Sequence, residues 1–173
     1  MVRAAQQGDG AAQRAVYDRY AGLLFGIARR YARDRSEAQD FAQDAWVRIF
    51  RKLDTFGFNG SLEGWLRRVT VTVALRNIQR RGLDVRELPG SLPESHRVAP
   101  TAIARLGADE LLAYIEELPE GYRLVFNLFA VEGYSHNEIA EMLDIEASTS
   151  RSQLTKARKL LQRRISQLIP VCL

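Results

Sequence analysis

Apolar side chains recur at helical spacing over most of the 173 residues, and the places where the pattern breaks divide the chain in two. Val16, Tyr20, Leu23, Leu24, Ile27 and Tyr31 form one stripe over residues 11–33, as expected of a helix with a single buried face. Asp34-Arg35 ends it. Ser36, with Gln39 three positions on, reads as the cap of a second helix. Phe41, Ala45, Ile49 and Leu53 then follow at steps of four. Thr55 to Ser61, with Gly57, Asn59 and Gly60, reads as irregular backbone. Phe56 and Phe58 inside it are either buried staples or stacking surfaces. Residues 62–81 carry two conflicting signals. Val69-Thr70-Val71-Thr72-Val73 alternates as a strand does. Yet the segment reaches Arg81 with no Gly or Pro after Gly64, too long for a typical strand, and no partner strand is visible. A helix is expected.

Between residues 82 and 108 no period survives; Pro89, Gly90, Pro93, Pro100 and Gly107 interrupt it. This stretch is expected to be an extended or mobile linker. Helical spacing returns with Leu111, Leu112, Ile115 and Leu118. Pro119 opens a further helix, with Tyr122, Val125, Phe126 and Phe129 inward and Gly133 as its closing glycine. Ser135 and Glu138 have capping-box spacing, and Ile139, Ala140 and Leu143 follow. Asp144-Ile145-Glu146 is a break. A last helix places Leu154, Ala157 and Leu161 inward, and Arg151, Ser152, Gln153, Thr155, Lys156, Arg158 and Lys159 on its other faces. The expected fold class is all-α: two small helical domains joined by a flexible linker.

Charge changes the picture most. From Ala147 to Leu173 there are six bases and no acid; from Asp109 to Glu146 there are ten acids and one base, Arg123. A short helix bracing a basic second helix is the arrangement that enters a DNA major groove. The alternative is a solvated amphipathic helix that happens to be basic. Residues 1–81 hold 15 basic and 8 acidic side chains, while the whole chain has a net charge of +4. The single cysteine, Cys172, excludes an internal disulfide, and with only His96 and His136 besides there is no zinc set. No segment approaches the ~20 apolar residues of a membrane span, and no signal-peptide core opens the chain. A cytoplasmic location is therefore expected. No phosphate loop and no Ser/His/Asp or Cys/His constellation is present, so neither an enzyme nor a bound cofactor is expected.

The order of these parts resembles the extracytoplasmic-function sigma factors of bacterial RNA polymerase, over nearly the whole chain. Ala38-Gln39-Asp40-Phe41-Ala42-Gln43-Asp44 is similar to the family's clamp-docking stretch in region 2. Phe56 through Leu66, with Gly64-Trp65-Leu66-Arg67-Arg68, is similar to its promoter-melting segment. Leu118-Pro119-Glu120-Gly121-Tyr122-Arg123, Gly133-Tyr134-Ser135 and Glu138-Ile139-Ala140 are similar to region 4. Two departures stand out. Thr72 and Arg76 occupy positions where the family usually carries Asn and Asp, with Gln79 where an Arg is usual. Glu146-Ala147-Ser148-Thr149 replaces a Ser-Glu-Gly-Thr run, which leaves a poorer cap or one supplied by Ser148 a turn later.

The resemblance implies three domains of function: region 2 over 1–81, the linker over 82–108 and region 4 over 109–173. It implies that Thr149, Arg151, Ser152, Thr155, Lys156 and Arg158 meet the −35 element. Phe56, Asn59, Ser61, Trp65, Arg67, Arg68, Arg76 and Arg80 would then meet the −10 element, and Arg81 belongs to the same basic run. Asp40, Gln43, Asp44 and Arg48 would dock on core polymerase, whose clamp helices and flap are the implied contacts. Promoter DNA and an anti-sigma factor are the other implied partners. Structural alternatives stay open: Asn59 as a turn former, Trp65 as core, Asp40 and Asp44 as helix-surface pairs with Arg48, and His136 as a solvated capping residue. A helix-turn-helix regulator acting without polymerase, or a helical protein-binding adaptor, are the rival functions.

Overall fold

The computed structural model describes residues 1–82 and 113–168. The chain divides into two compact units, 1–83 and 84–173. The linker expected over 82–108, Leu111, Leu112, His96 and Cys172 lie outside the described residues, apart from Gly82.

The first unit holds α1 (Val2–Gln6), α2 (Gly10–Tyr31), α3 (Arg35–Lys52), a 3-10 turn (Leu53–Thr55) and α4 (Leu62–Arg80). The helices α2, α3 and α4 pack against one another pairwise. Their buried faces are the expected stripes: Val16, Leu24, Ile27 and Tyr31 on α2, then Phe41, Ala45 and Ile49 on α3, with Leu53 just beyond. Each such side chain contributes about 1.5–3 kcal/mol on burial. The cap between α2 and α3 differs from the expectation. Asp34, rather than Ser36, accepts the backbone N–H of Glu37 at 2.9 Å. Glu37 returns a bond to the backbone N–H of Arg33, so the capping pair lies two residues earlier than Ser36 and Gln39. A carboxylate at the cap also gains from the positive end of the helix.

Residues 62–80 are helical despite their strand-like alternation. Leu66, Thr70, Val71, Val73, Ala74, Leu75 and Ile78 are all buried, an arc too broad for a one-sided period, because α4 is covered by both α2 and α3. Thr70 and Thr72 donate their hydroxyls to the carbonyls of Leu66 and Arg68, four residues back. This satisfies the polar atoms inside the helix, and tertiary packing overrides the weak intrinsic preference of the β-branched run.

The second unit begins, among the described residues, with helical residues 113–116. There follow α5 (Glu120–Phe126), a π-helical turn (Asn127–Val131), α6 (His136–Leu143) and α7 (Ala147–Leu168). Pro119 sits one position before the first helical residue. The π turn keeps Leu128 and Asn127 fully buried, and Gly133, at φ +81°, lets Tyr134 N–H reach back to Leu128 O at 2.9 Å. Ile115, Leu118, Tyr122, Ala157 and Leu161 form a core, so α5 and the preceding turn brace α7. Arg123, the lone base of its acidic stretch, is buried and donates to Glu116 O at 2.8 Å.

Candidate nucleic-acid interface

The helix-turn-helix is built from its caps outward. Ser135 Oγ accepts from Glu138 N–H, and Glu138 Oε2 accepts from Ser135 N–H at 2.8 Å, completing the capping box. Asp144 turns the chain at φ 53°, a left-handed position that Asp tolerates better than most residues. Helix α7 starts at Ala147 without waiting for Ser148, which lies inside the first turn; Glu146 O accepts from Ser150 N–H. Ile139 and Leu143 of α6 and Leu154, Ala157, Leu161 and Ile165 of α7 are buried.

That burial fixes which face of α7 is left for a ligand. Arg151, Ser152, Thr155, Arg158 and Lys159 are exposed, and Thr149 and Lys156 are half-buried. Gln153, expected on an outer face, is buried instead, beside Leu154. The reason is geometric: Gln153 follows the fully buried Ser150 by three residues and precedes Ala157 by four, so it shares their side of the helix. Thr155 donates its hydroxyl to Arg151 O at 2.9 Å and keeps its lone pairs for an outside donor.

His136 is not a solvated capping residue. Its ring stacks on Phe129 with centroids 4.5 Å apart, and Nδ1 lies 2.9 Å from Ser150 Oγ. Arg158 lies over the same Phe129 ring, 5.7 Å from its centroid. Burial, and then the charges of Arg151 and Arg158, hold the imidazole below its usual pKa of 6.5. The neutral ring therefore pins the two helices together without adding charge.

In the first unit the aromatic loop resolves into two roles. Phe56 is buried, whereas Phe58 is 46% exposed at φ 59°, with ring centroids 5.0 Å apart. A non-glycine residue held there is strained, and the pairing with Phe56 keeps it in place. Trp65, half-buried, also meets Phe56, with ring centroids 5.8 Å apart, and Arg3 lies 5.3 Å from the Phe58 centroid. Asn59 is exposed at the tip. Ser61 is the N-cap of α4, its Oγ accepting from Gly64 N–H at 3.0 Å. A Cβ on Gly64 would stand 3.0 Å from that oxygen, so glycine leaves the cap room to close.

On α4, Arg68, Arg76 and Arg80 are exposed, while Arg67 pairs with Glu63 at 2.9 Å. Arg81 is largely covered and pairs with Glu37 of α3. Burial pushes Glu37 upward, but hydrogen bonds from Arg81 and Arg33 outweigh it and the carboxyl is held below 4.5. On α3, Asp40, Gln43 and Asp44 are exposed and Arg48 half-buried. Asp44 does not spend its carboxylate within α3; its Oδ2 accepts from Asn77 Nδ2 of α4 at 2.8 Å.

Two family models match the chain: Sigma-70 region 2 over residues 16–83 and Sigma-70 region 4 over residues 108–161. The ECF RNA polymerase sigma factor SigE of Mycolicibacterium smegmatis is 31% identical over 152 residues, 83% of this chain and 57% of that protein. The chain belongs to the extracytoplasmic-function sigma factors. It spans just over half of the mycobacterial sigma factor but 94% of the sigma-H factor of Pseudomonas aeruginosa, which is 27% identical over 98% of this chain. The sigma factor RpoE of Bartonella quintana, solved in complex with the anti-sigma factor NepR, shares the fold. Its TM-score is 0.54 at 20% identity, over 91% of this chain and 98% of that one.

Some of this sigma factor's contacts have no counterpart in the hydrophobic pattern. Helix α1 escapes it because five residues give no period, yet Gln6 Nε2 donates to both Leu53 O and Phe56 O at 2.9 Å and anchors the entry to the aromatic loop. The signal that could have found α1 is the Gly8-Asp9 pair. Gly8 sits at φ +87° and Asp9 caps α2, the stop and start marks of adjoining helices. The stack of Arg158, Phe129 and His136 joins three elements distant in sequence, so no local pattern announces it.

Proposed function

We propose that the two units are separate promoter-reading heads of a polymerase specificity subunit, with residues 1–81 facing the −10 element, 109–173 the −35 element and 82–108 linking them. The observation that carries this is the outward face of α7. Arg151, Ser152, Thr155 and Arg158 project from one side of a helix held by a capped partner helix, in a segment with no acidic residue. Arg151 and Ser152 read base edges, with Thr155 and Lys156 alongside, and Thr149 and Arg158 meet phosphates. An arginine bidentate to guanine discriminates by about 1–3 kcal/mol.

The −10 head works on unpaired DNA. Phe58 offers an exposed ring, and Asn59 beside it supplies a donor and an acceptor for a base edge. Extruding a base costs a few kcal/mol, and stacking on an aromatic ring returns about 1–3 kcal/mol. Trp65 supports Phe56 from within, Ser61 shapes the loop exit, and Arg67, Arg68, Arg76 and Arg80 supply the phosphate-binding side. Asp40, Gln43, Asp44 and Arg48 present the polymerase-docking face. The protein acts in the cytoplasm without chemistry of its own. A protein of the kind that accompanies the Bartonella structure is its third partner.

Transcription from a randomised promoter pool with core polymerase tests this. Enrichment of paired −35 and −10 sequences is expected, and Arg151→Ala should relax only the upstream one. Sequence-specific duplex binding by the chain alone, unchanged by core polymerase, would instead indicate a regulator that acts without it.

A further inference from the structure

The groove between α3 and α4 brings together residues that the family resemblance assigns to different partners. Arg48 comes from the docking face, and Arg76 and Arg80 from the DNA-facing helix. Arg51 and Lys52, assigned to neither, complete the lining. The groove encloses about 340 Å³, with Val47 and Val73 as its apolar part and Asp44 as its one carboxylate. Asp44 is already engaged by Asn77.

Among the described residues, cations without a carboxylate partner also occur elsewhere, at Arg68 and on the outer face of α7, but here five of them line one concavity. Arg14, Arg33, Arg67, Arg81 and Arg164 each have a carboxylate partner. None of the five cations of the groove has one among the described residues. Such a set repels itself, and a concave wall of one sign concentrates counter-charge. Two pairs stand one helical turn apart on facing walls, Arg48 with Arg51 or Lys52 on α3 and Arg76 with Arg80 on α4. Four of the five are arginines, whose planar forks match phosphate oxygens two at a time. One phosphate would satisfy only part of this set.

We propose that the α3/α4 groove is a binding site for adjacent phosphate groups, held by Arg48, Arg51, Arg76 and Arg80 with Lys52 adding charge. The same chemistry is offered by consecutive phosphates of a nucleic-acid strand and by a free polyphosphate such as the tail of a nucleoside triphosphate. The volume lies at the small end of ligand pockets. The site shares Arg76 and Arg80 with the phosphate-binding side proposed above, so its nucleic-acid source rests on that reading and its free-polyphosphate source does not.

The test titrates the full chain with inorganic tripolyphosphate at fixed ionic strength, by calorimetry and by the NMR signals of the arginine Nε–H groups. Wild type should bind one equivalent and shift the groove arginines. The double variant Arg48→Gln, Arg76→Gln should weaken binding at least tenfold, while Arg19→Gln, an exposed cation on α2, should change it less than twofold. Asp44→Asn keeps a side chain able to bond Asn77 and removes the one negative charge. It should tighten binding several-fold, a gain that misfolding cannot imitate. Competition then identifies the source. Displacement of tripolyphosphate by a single-stranded or duplex DNA fragment assigns the groove to a nucleic-acid backbone, and failure of DNA to displace it assigns the groove to a free polyphosphate. Equal tripolyphosphate affinity in wild type, the double variant and Asp44→Asn would overturn the proposal.

Discussion

His136 Nδ1 and Ser150 Oγ stand 2.9 Å apart, tying the first residue of α6 to the first turn of α7. The bond sits where the two helices of the DNA-binding motif must keep a fixed angle. Ser150 is fully buried and His136 is packed on Phe129, so neither can turn to water without disturbing the joint.

This joint makes the second unit sensitive to acid. The folded imidazole is held below 6.5, so as pH falls the unfolded chain takes up a proton before the folded one does. Stability is complete above pH 6.5, declines as pH falls toward the folded pKa, and levels off below it. Urea midpoints of the chain between pH 7.5 and 5 should show this decline, and His136→Gln should flatten it.

A second acid response belongs to the first unit. Glu37 is held below 4.5 by its bonds from Arg81 and Arg33, so its contribution is present above that value and lost as pH falls through the folded pKa. Arg81→Gln should lower the first unit's melting temperature at neutral pH and make its loss of stability below pH 4.5 shallower. An unchanged acid limb in thermal scans would show that the pair adds nothing.

Gln6 should matter more than its place near the start of the chain suggests. Gln6→Ala removes the donor to Leu53 O and Phe56 O, a loss of about 1–3 kcal/mol for the two bonds together. Hydrogen–deuterium exchange should rise over residues 53–60 with little change in α7. Promoter opening should slow while duplex −35 binding by holoenzyme stays the same.

Ser61→Ala should cost about 1 kcal/mol, the usual value of a lost helix cap, and the effect should appear in the unfolding of the first unit. Asn59→Ala, at an exposed tip position, should leave that unfolding within about 0.5 kcal/mol of wild type. It should alter only the choice of −10 sequence. Equal use of every −10 variant before and after would leave Asn59 as a turn residue.

Much of the fold was legible because most of its helices, α4 excepted, bury one stripe each. Phe41, Ala45, Ile49 and Leu53 announce α3, and Ser135 with Glu138 announces α6, since both signals are local. The cap of α3 was misplaced because Ser36 and Asp34 offer equivalent chemistry two residues apart, and only the backbone decides between them. Gln153 was misplaced because a polar side chain looks exposed until a neighbouring helix covers it. His136 was misread because its partners, Phe129 and Ser150, reach it only after the motif closes. Gly57, Asn59 and Gly60 located the aromatic loop, but which of Phe56 and Phe58 faces outward depends on the left-handed backbone at 58.

Helix α4 carries a last consequence. Its Val-Thr run has little reason to coil by itself and combines β propensity with the absence of charge, the composition of an aggregation-prone window. During synthesis, α2 and α3 leave the ribosome first, so this stretch emerges beside the surfaces that cover it in the folded unit. Chain order thus shields the segment least suited to fold alone, and a rearranged gene that placed it first would forfeit that shelter.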